Sequence, residues 1–152
     1  AYTITADVEI PEGGAEGVIV TEGGRFGGYA LFLSKGEFGI GSGKVVFAYN
    51  LLDLKRTFWE GPELGQGKHT LVFDFKPSEP GLGKGGTGTL SVDGKVVATN
   101  TLDHTTPITF PEDESFDVGL DTRTGVTLAE YRYDTPFKFT GTIDKLTFKL
   151  QP

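Results

Sequence analysis

The sequence predicts an all-β fold of two packed antiparallel sheets, and three stretches carry this prediction. Residues 2–10 alternate between apolar and polar side chains, which is typical of a strand with one buried side. Asp93-Gly94 lies between two alternating runs and favours a two-residue hairpin turn, because both turn residues need a positive φ. Residues 137–150 alternate again, and their change of phase at Asp144 indicates a β-bulge.

Turns rich in glycine and proline divide the rest of the chain into short strands, and no segment predicts a helix longer than one turn. The predicted strands, in order, are residues 2–10, 18–21, 29–33, 45–49, 56–59, 68–76, the two arms of the hairpin at 87–99, 106–110, 115–119 and 137–150. Gly61-Pro62 is expected to end the fifth strand. Strands spaced about ten residues apart favour a sandwich over an open α/β sheet, and the first and last strands are expected to pair.

The size and charge of the chain limit its partners. Its 152 residues fit one domain, residues 1–152. The net charge of −7 provides no extended attraction to phosphate backbones or anionic lipid, so neither nucleic acid nor a membrane is expected as a partner. The chain has no cysteine, and therefore no disulfide or thiolate metal site. It also lacks methionine and starts inside a strand, which predicts a piece of a longer protein.

Five segments rich in glycine or aromatic residues follow one another along nearly the whole chain. They are GGRFGGYALFL (residues 23–33), VVFAYNLLDLKR (45–56), GKHTLVFDF (67–75), PGLGKGGTGTLSVDGK (80–95), and FDVGLDT with PFKFTGTIDKL (116–122 and 136–146). In this order they resemble the C-terminal accessory domain of large bacterial arylsulfatases. The resemblance implies a concanavalin-like or laminin-G-like jelly roll. Leu120 and Trp59 depart from the family pattern, which has a charged and a smaller residue at these positions.

The resemblance also implies a function. Sulfatases act through a modified cysteine or serine in a C/S-x-P-x-R motif, and this sequence contains no such motif. The chain is therefore expected to be a non-catalytic part of a sulfuric ester hydrolase. Its implied role is to pack against the sulfatase domain or a second subunit and to shape the substrate entrance.

A hypothesis from another class is a carbohydrate-binding, lectin-like module. Exposed aromatic rings stack on sugar faces, and arginines bind hydroxyl or sulfate groups. Tyr29 and Tyr49 lie inside apolar strands and are expected to belong to the core. The candidate ligand or partner contacts are Trp59, Arg25, Arg56, Arg123, Tyr131, Arg132 and Tyr133. The longest predicted loops are residues 76–86 and 122–135, and the second is expected to meet the partner because it carries four of these residues.

No catalytic set is predicted. Two histidines are too few for a three-histidine metal site, and His69 lies on an apolar strand face, where a hydrogen-bonded neutral imidazole is expected. His104 is expected in a loop. Asp7 and Glu9 share a solvated strand face, so a sandwich glycosidase or polysaccharide lyase is the least favoured function.

Two further patterns in the sequence bear on phosphate and metal binding. The G-x-G-x-x-G pattern of residues 81–86 is flanked by strands and lacks the helix that dinucleotide binding requires, so a loop is expected there. No cofactor or metal is expected. Calcium is the remaining candidate, with Asp117 and Asp121 as possible oxygen ligands, but their spacing matches no specific calcium loop and favours a hydrogen-bonded turn.

Overall fold

The structure is a computed structural model that describes residues 2–24, 27–35, 42–51, 55–78, 84–104, 116–118 and 139–150. These residues form ten β-strands and no helix. The strands are β1 (Tyr2–Ile10), β2 (Gly17–Gly24), β3 (Gly27–Lys35), β4 (Ser42–Leu51), β5 (Lys55–Glu63), β6 (Gly67–Pro77), β7 (Lys84–Val92), β8 (Lys95–His104), β9 (Phe116–Val118) and β10 (Thr142–Leu150). A membrane-spanning helix is accordingly not found among the described residues.

The strands form two antiparallel sheets of five strands each. Sheet A has the order β10-β1-β6-β7-β8, and sheet B has the order β5-β4-β3-β2-β9. Side chains from both sheets meet in one buried cluster, so the predicted antiparallel β-sandwich is confirmed. The first and last strands pair as expected, with Tyr2 opposite Leu150.

Inward-facing side chains at alternate strand positions build the core. Leu71, Phe73 and Phe75 of β6 face it, as their alternation predicts. The ring of Phe73 stacks on that of Phe47 from sheet B, with 3.6 Å between the centroids. Burying one such ring stabilises the fold by about 1.5–3 kcal/mol. Tyr29 and Tyr49 also belong to this core, as expected.

The predicted hairpin and bulge are both present. Asp93 and Gly94 connect β7 to β8 with φ angles of 52° and 83°, which are the positive values that a type I′ turn requires. In the pair β1–β10, Asp7 is opposite Lys145 and Val8 is opposite Ile143, which leaves Asp144 as the extra residue.

Most strands are longer than predicted, and two boundaries affect the interpretation of the loops. β5 continues through Gly61-Pro62 to Glu63, so the predicted end is wrong. Within the described residues β5 lies at an edge of sheet B, where a proline costs no ladder hydrogen bond. The predicted loop at residues 76–86 is shorter than expected, because β6 extends to Pro77 and β7 begins at Lys84. The predicted strand at residues 106–110 and the loop at 122–135 lie outside the described residues.

The closing strand begins at Thr142, later than the predicted residue 137. Thr140 precedes it and is anchored to Glu16, whose carbonyl accepts a hydrogen bond from the Thr140 N–H at 2.9 Å. Gly141 approaches the backbone closely, since a Cβ built there would lie 2.8 Å from the carbonyl oxygen of Glu9. These contacts fix the chain before the strand starts.

The outer faces of the two sheets differ in chemistry. On sheet A the outward side chains are mainly hydroxyl-bearing or charged; they include Thr3, Thr5, Asp7, Glu9, Lys68, Thr70, Asp74, Thr89, Ser91, Thr99, Lys145, Thr147 and Lys149. On sheet B a second apolar cluster lies apart from the main core; it consists of Val18, Ala30, Phe32, Val46 and Ala48, with Phe58 packed against it. Its five buried members are at most 1% exposed, so the strands that carry them, β2, β3 and β4, are buried on both faces at these positions.

Candidate functional site

Trp59 does not offer the exposed surface that the sequence analysis expected. Its side chain is 0% exposed and contacts Phe47 and Phe73 edge-on, with centroid distances of 5.6 and 5.0 Å. The indole Nε1–H crosses the core from β5 and donates a hydrogen bond of 2.8 Å to the Gly88 carbonyl of β7. The prediction that Trp59 contacts a ligand from an exposed position is therefore wrong. The neighbouring residues Thr57, Phe58 and Gly61 show no apolar alternation that would have indicated its inward direction.

Phe148 is the exposed aromatic residue instead. Among the described residues, Val96 and Phe148 are the large apolar side chains with substantial exposure, at 57% and 42%. Phe148 lies on the inner face of the edge strand β10, opposite the buried Ile4. The alternation of residues 137–150 predicts an inward direction for Phe148, and the register agrees with it. Alternation could not show that β10 lies at the edge of sheet A.

The Phe148 ring is held in place by an aromatic row, which we define as Phe75, Tyr2 and Phe148. Tyr2 stacks on Phe75 at 5.4 Å and on Phe148 at 5.7 Å, with interplanar angles of 25° and 12°. Tyr2 covers one side of the Phe148 ring, and the side chain remains 42% exposed. A ring presented in this way loses little side-chain freedom when it binds.

The backbone edge beside Phe148 is poorly suited to adding another strand. In the described part of the chain β10 has one neighbour, β1. Its exposed residues include Lys145 and Lys149, and Asp144 forms a bulge. Lysines and bulges on edge strands hinder pairing with a further strand. A partner at this edge would therefore meet side chains, chiefly Phe148 and the two lysines.

A polar arrangement lies elsewhere on sheet A. It consists of His69, Asp93 and the backbone groups of Gly65 and Thr70, and we call it the His69 clasp. The His69 Nδ1 lies 2.7 Å from Asp93 Oδ2, and its Nε2 lies 2.7 Å from the Gly65 carbonyl oxygen. The Thr70 N–H donates to Asp93 Oδ1 at 2.8 Å, and the Asp93 N–H donates to the Thr70 carbonyl at 2.8 Å. Both carboxylate oxygens and both ring nitrogens are thus engaged.

The clasp favours the charged forms of both partners. Burial lowers the pKa of His69, but the hydrogen bonds to Asp93 and to the Gly65 carbonyl and the attraction of the carboxylate together raise it above 6.5. The pKa of Asp93 falls below 3.8, mainly because the Thr70 N–H bonds its carboxylate; slight burial opposes this, and His69 supports it. His69 is hydrogen-bonded as predicted, but the expected neutral form is not favoured because both ring nitrogens face acceptors.

The acidic residues weighed for catalysis have structural partners. Asp7 accepts a hydrogen bond of 2.7 Å from the Thr70 hydroxyl, and Asp74 accepts one of 2.7 Å from the Thr3 hydroxyl. Glu9 is exposed on the same face. Across the described residues, no group of three or more histidine, cysteine, aspartate or glutamate side chains is placed to hold a metal ion.

Most other predicted site residues cannot be placed. Arg25, Asp121, Arg123, Tyr131, Arg132 and Tyr133 lie outside the described residues. The backbone of Arg56 lies in β5, opposite Asn50, and that of Asp117 lies in β9, opposite Thr21. His104 ends β8 opposite Lys84 rather than lying in a loop. The structure therefore brings none of the predicted contact residues together within its described part.

Comparisons of this chain with protein-family models, with curated proteins and with solved structures find no match. The structure itself offers two candidate sites: the edge of β10 that carries Phe148, which we call the Phe148 edge, and the His69 clasp. Of these, the edge presents a surface to solvent, whereas the clasp uses its polar atoms internally.

Proposed function

We propose that this chain is a non-catalytic accessory β-sandwich domain, of the concanavalin-like or laminin-G-like jelly-roll type, that acts by binding a partner protein. The resemblance of five segments to the C-terminal domain of arylsulfatases supports this role. The partner would be the sulfatase domain of the same enzyme or a second subunit.

The observation that carries the proposal is the exposed ring of Phe148, held in place by Tyr2. Interface centres are enriched in aromatic side chains, and pre-organised rings bind with a smaller loss of entropy. Lys145 and Lys149 lie on the other face of β10 from Phe148 and add positive charge to this edge of a chain whose net charge is −7. The edge is therefore suited to an acidic protein surface that has an apolar pocket for one ring.

The remaining chemical groups support a role in contact over one in catalysis. His69 has both ring nitrogens bonded to acceptors within the fold, so neither is open to a substrate. Asp7 is bonded to Thr70, and Trp59 is buried beneath β7. These side chains hold the sandwich together.

The first experiment separates an accessory role from sulfatase activity. The chain alone should show no turnover of an aryl sulfate, measured by release of the phenol chromophore. When mixed with a separately expressed bacterial arylsulfatase domain that lacks its own C-terminal domain, it should form a complex in sedimentation velocity. Turnover by the chain alone would overturn the proposal.

The second experiment tests the edge itself. Phe148→Ala should weaken the complex about tenfold or more, because removing a central aromatic anchor has effects of this size. Val96→Ala is the matched control, since Val96 is also exposed but lies on the outer face of β8, at the far edge of sheet A. Equal affinities for both variants would show that the partner binds elsewhere.

A second candidate function is a carbohydrate-binding module, and the same ring favours it. The exposed part of Phe148 could stack on a pyranose face, while Lys145 and Lys149, which lie on the opposite face of β10, could bind carboxylate or sulfate groups of other residues along the glycan. Calorimetric titration with a sulfated galactan oligosaccharide should then show saturable binding that Phe148→Ala removes. The desulfated oligosaccharide should bind more weakly, and no saturation with either would exclude this candidate.

A further inference from the structure

The turn residues Asp93 and Gly94 form the only Asp-Gly pair in the sequence. An aspartate followed by glycine is the pair most prone to spontaneous isomerisation, because glycine has no side chain to shield its backbone nitrogen. A Cβ built at Gly94 would have no heavy atom within 4 Å, so the turn is also open to water. The Asp93-Gly94 turn is therefore susceptible to spontaneous isomerisation.

The reaction is balanced without any added reagent. The Gly94 nitrogen attacks Cγ of the protonated Asp93 carboxyl, a C–N bond forms and one C–O bond breaks. The oxygen leaves as water with the carboxyl proton and the Gly94 amide proton, which gives a succinimide ring. Water then adds to either ring carbonyl. Addition at the backbone carbonyl leaves the chain running through the side-chain carboxyl carbon, as isoaspartate, with the original mass and one more carbon atom in the backbone.

The His69 clasp opposes this reaction in two ways. Both carboxylate oxygens bond to β6 donors, one to the His69 ring and one to the Thr70 N–H. Rotation of the carboxyl group toward the Gly94 nitrogen would break both bonds. The reaction also requires an oxygen to leave as water, and a carboxylate kept charged by His69 and Thr70 is a poor acceptor for the attacking nitrogen.

We propose that Asp93-Gly94 is a spontaneous isomerisation site that the His69 clasp keeps unmodified in the folded protein. The extra backbone carbon of isoaspartate would not fit a two-residue turn, because hairpin register depends on turn length. It would also move the Asp93 N–H away from the Thr70 carbonyl. Isomerisation of Asp93 would therefore disturb the pairing between β7 and β8, and loss of the clasp would make that isomerisation faster.

The test compares isomerisation rates at neutral pH and 37 °C. Isoaspartate is counted by enzymatic methyl transfer and located by chromatography of proteolytic peptides, because the mass does not change. A free peptide of residues 89–98 gives the unprotected rate. The folded protein should isomerise far more slowly, and His69→Phe should raise the rate at Asp93 about tenfold, the change that loss of one hydrogen bond to a charged group allows.

Ile19→Val is the control for general loss of stability, since Ile19 is buried and belongs to the other sheet. It should lower the unfolding midpoint without a matching rise in isoaspartate. The proposal is overturned if the wild-type protein isomerises as fast as the free peptide, or if His69→Phe, shown to be folded by circular dichroism, is no faster than wild type.

A second measurement covers the case in which His69→Phe does not fold. The ratio of peptide rate to protein rate, measured for the wild type from about pH 5 to 8, should fall as His69 loses its charge. Asp93 is the titratable group in contact with His69, and the cross-strand neighbour of His69 on β1 is Val8. A constant ratio over this range would contradict a protective role for the clasp.

Discussion

Trp59 and Phe148 lie toward opposite edges of the sandwich and differ in what surrounds them. On one side β5 contacts β7 and β8; the Trp59 indole bonds the Gly88 carbonyl, and the Asn100 side chain bonds the Phe58 carbonyl at 3.2 Å. On the other side, Phe148 is stacked on one neighbour and 42% exposed. The polar residues around Trp59 had suggested exposure, and the apolar alternation around Phe148 had suggested burial. Sheet edges and cross-sheet partners decide exposure in both cases.

The largest expected difference between the two edges is in stability. Trp59→Ala should lower the free energy of unfolding by about 3–5 kcal/mol, because it leaves a large cavity among Phe47, Phe73 and Gly88. It also leaves the Gly88 carbonyl without this donor. Urea denaturation followed by circular dichroism measures the loss, and a loss below 1 kcal/mol would contradict the tight packing at this edge.

Gly88→Ala tests the same edge from the opposite sheet. A Cβ at this position would lie 2.7 Å from ring atoms of both Phe73 and Trp59, so these packed rings would have to move. We expect a loss of about 1–3 kcal/mol, as for other overpacked cores. Gly65→Ala is a suitable control, since a Cβ there would have no heavy atom within 4 Å. Similar losses for both variants would argue against the close approach of Trp59.

Phe148→Ala should change stability much less than Trp59→Ala. The ring is exposed over much of its surface, and its main aromatic contact is the stack with Tyr2. A loss of about 1 kcal/mol is expected, the range for one aromatic pair with little additional burial. Thermal unfolding followed by calorimetry provides the comparison. A loss as large as that of Trp59→Ala would place Phe148 in the core and remove the basis for a binding edge.

The smallest effect should come from pH, and it involves neither aromatic residue. Because the folded-state pKa of His69 is raised, its contribution to stability is complete below pH 6.5 and is lost as pH rises through the folded value. Asp93 has a lowered pKa, so its contribution is present above pH 3.8 and is lost as pH falls through the folded value. The clasp should stabilise most between these limits.

For the wild type, the urea midpoint of unfolding should decline as pH rises above 6.5. His69→Phe should remove that decline, and Phe148→Ala should retain it. An unchanged pH profile in His69→Phe would assign the titration to other groups.

The hairpin turn, the bulge and the first strand were predicted from the sequence, because each depends on residues that are close together in the chain. Asp93-Gly94 specified its turn because few other pairs tolerate two positive φ angles. Asp144 was identified as a bulge because the change of phase in its strand is visible without knowledge of a partner. The strand of residues 2–10 was predicted with its observed limits, since strict alternation ends at Pro11.

Features that depend on distant residues were not predictable in this way. Trp59 is buried against Gly88, which is 29 positions away, and neither residue signals the other in the sequence. The apolar outer face of sheet B was also missed. In retrospect, the uninterrupted apolar run of residues 29–33 was the available signal, because strands buried on both faces lose their alternation.

The protected edge of β10 has a consequence for self-recognition. A sandwich that displays an apolar ring on an open edge strand invites a second copy of itself to extend the sheet. In β10 the extra residue at Asp144 disturbs the ladder, and Lys145 and Lys149 would meet the same charges on a pairing copy. Such repulsion discriminates between identical and complementary partners. The bulge and the two lysines of β10 therefore disfavour extension of sheet A by a second copy of this chain.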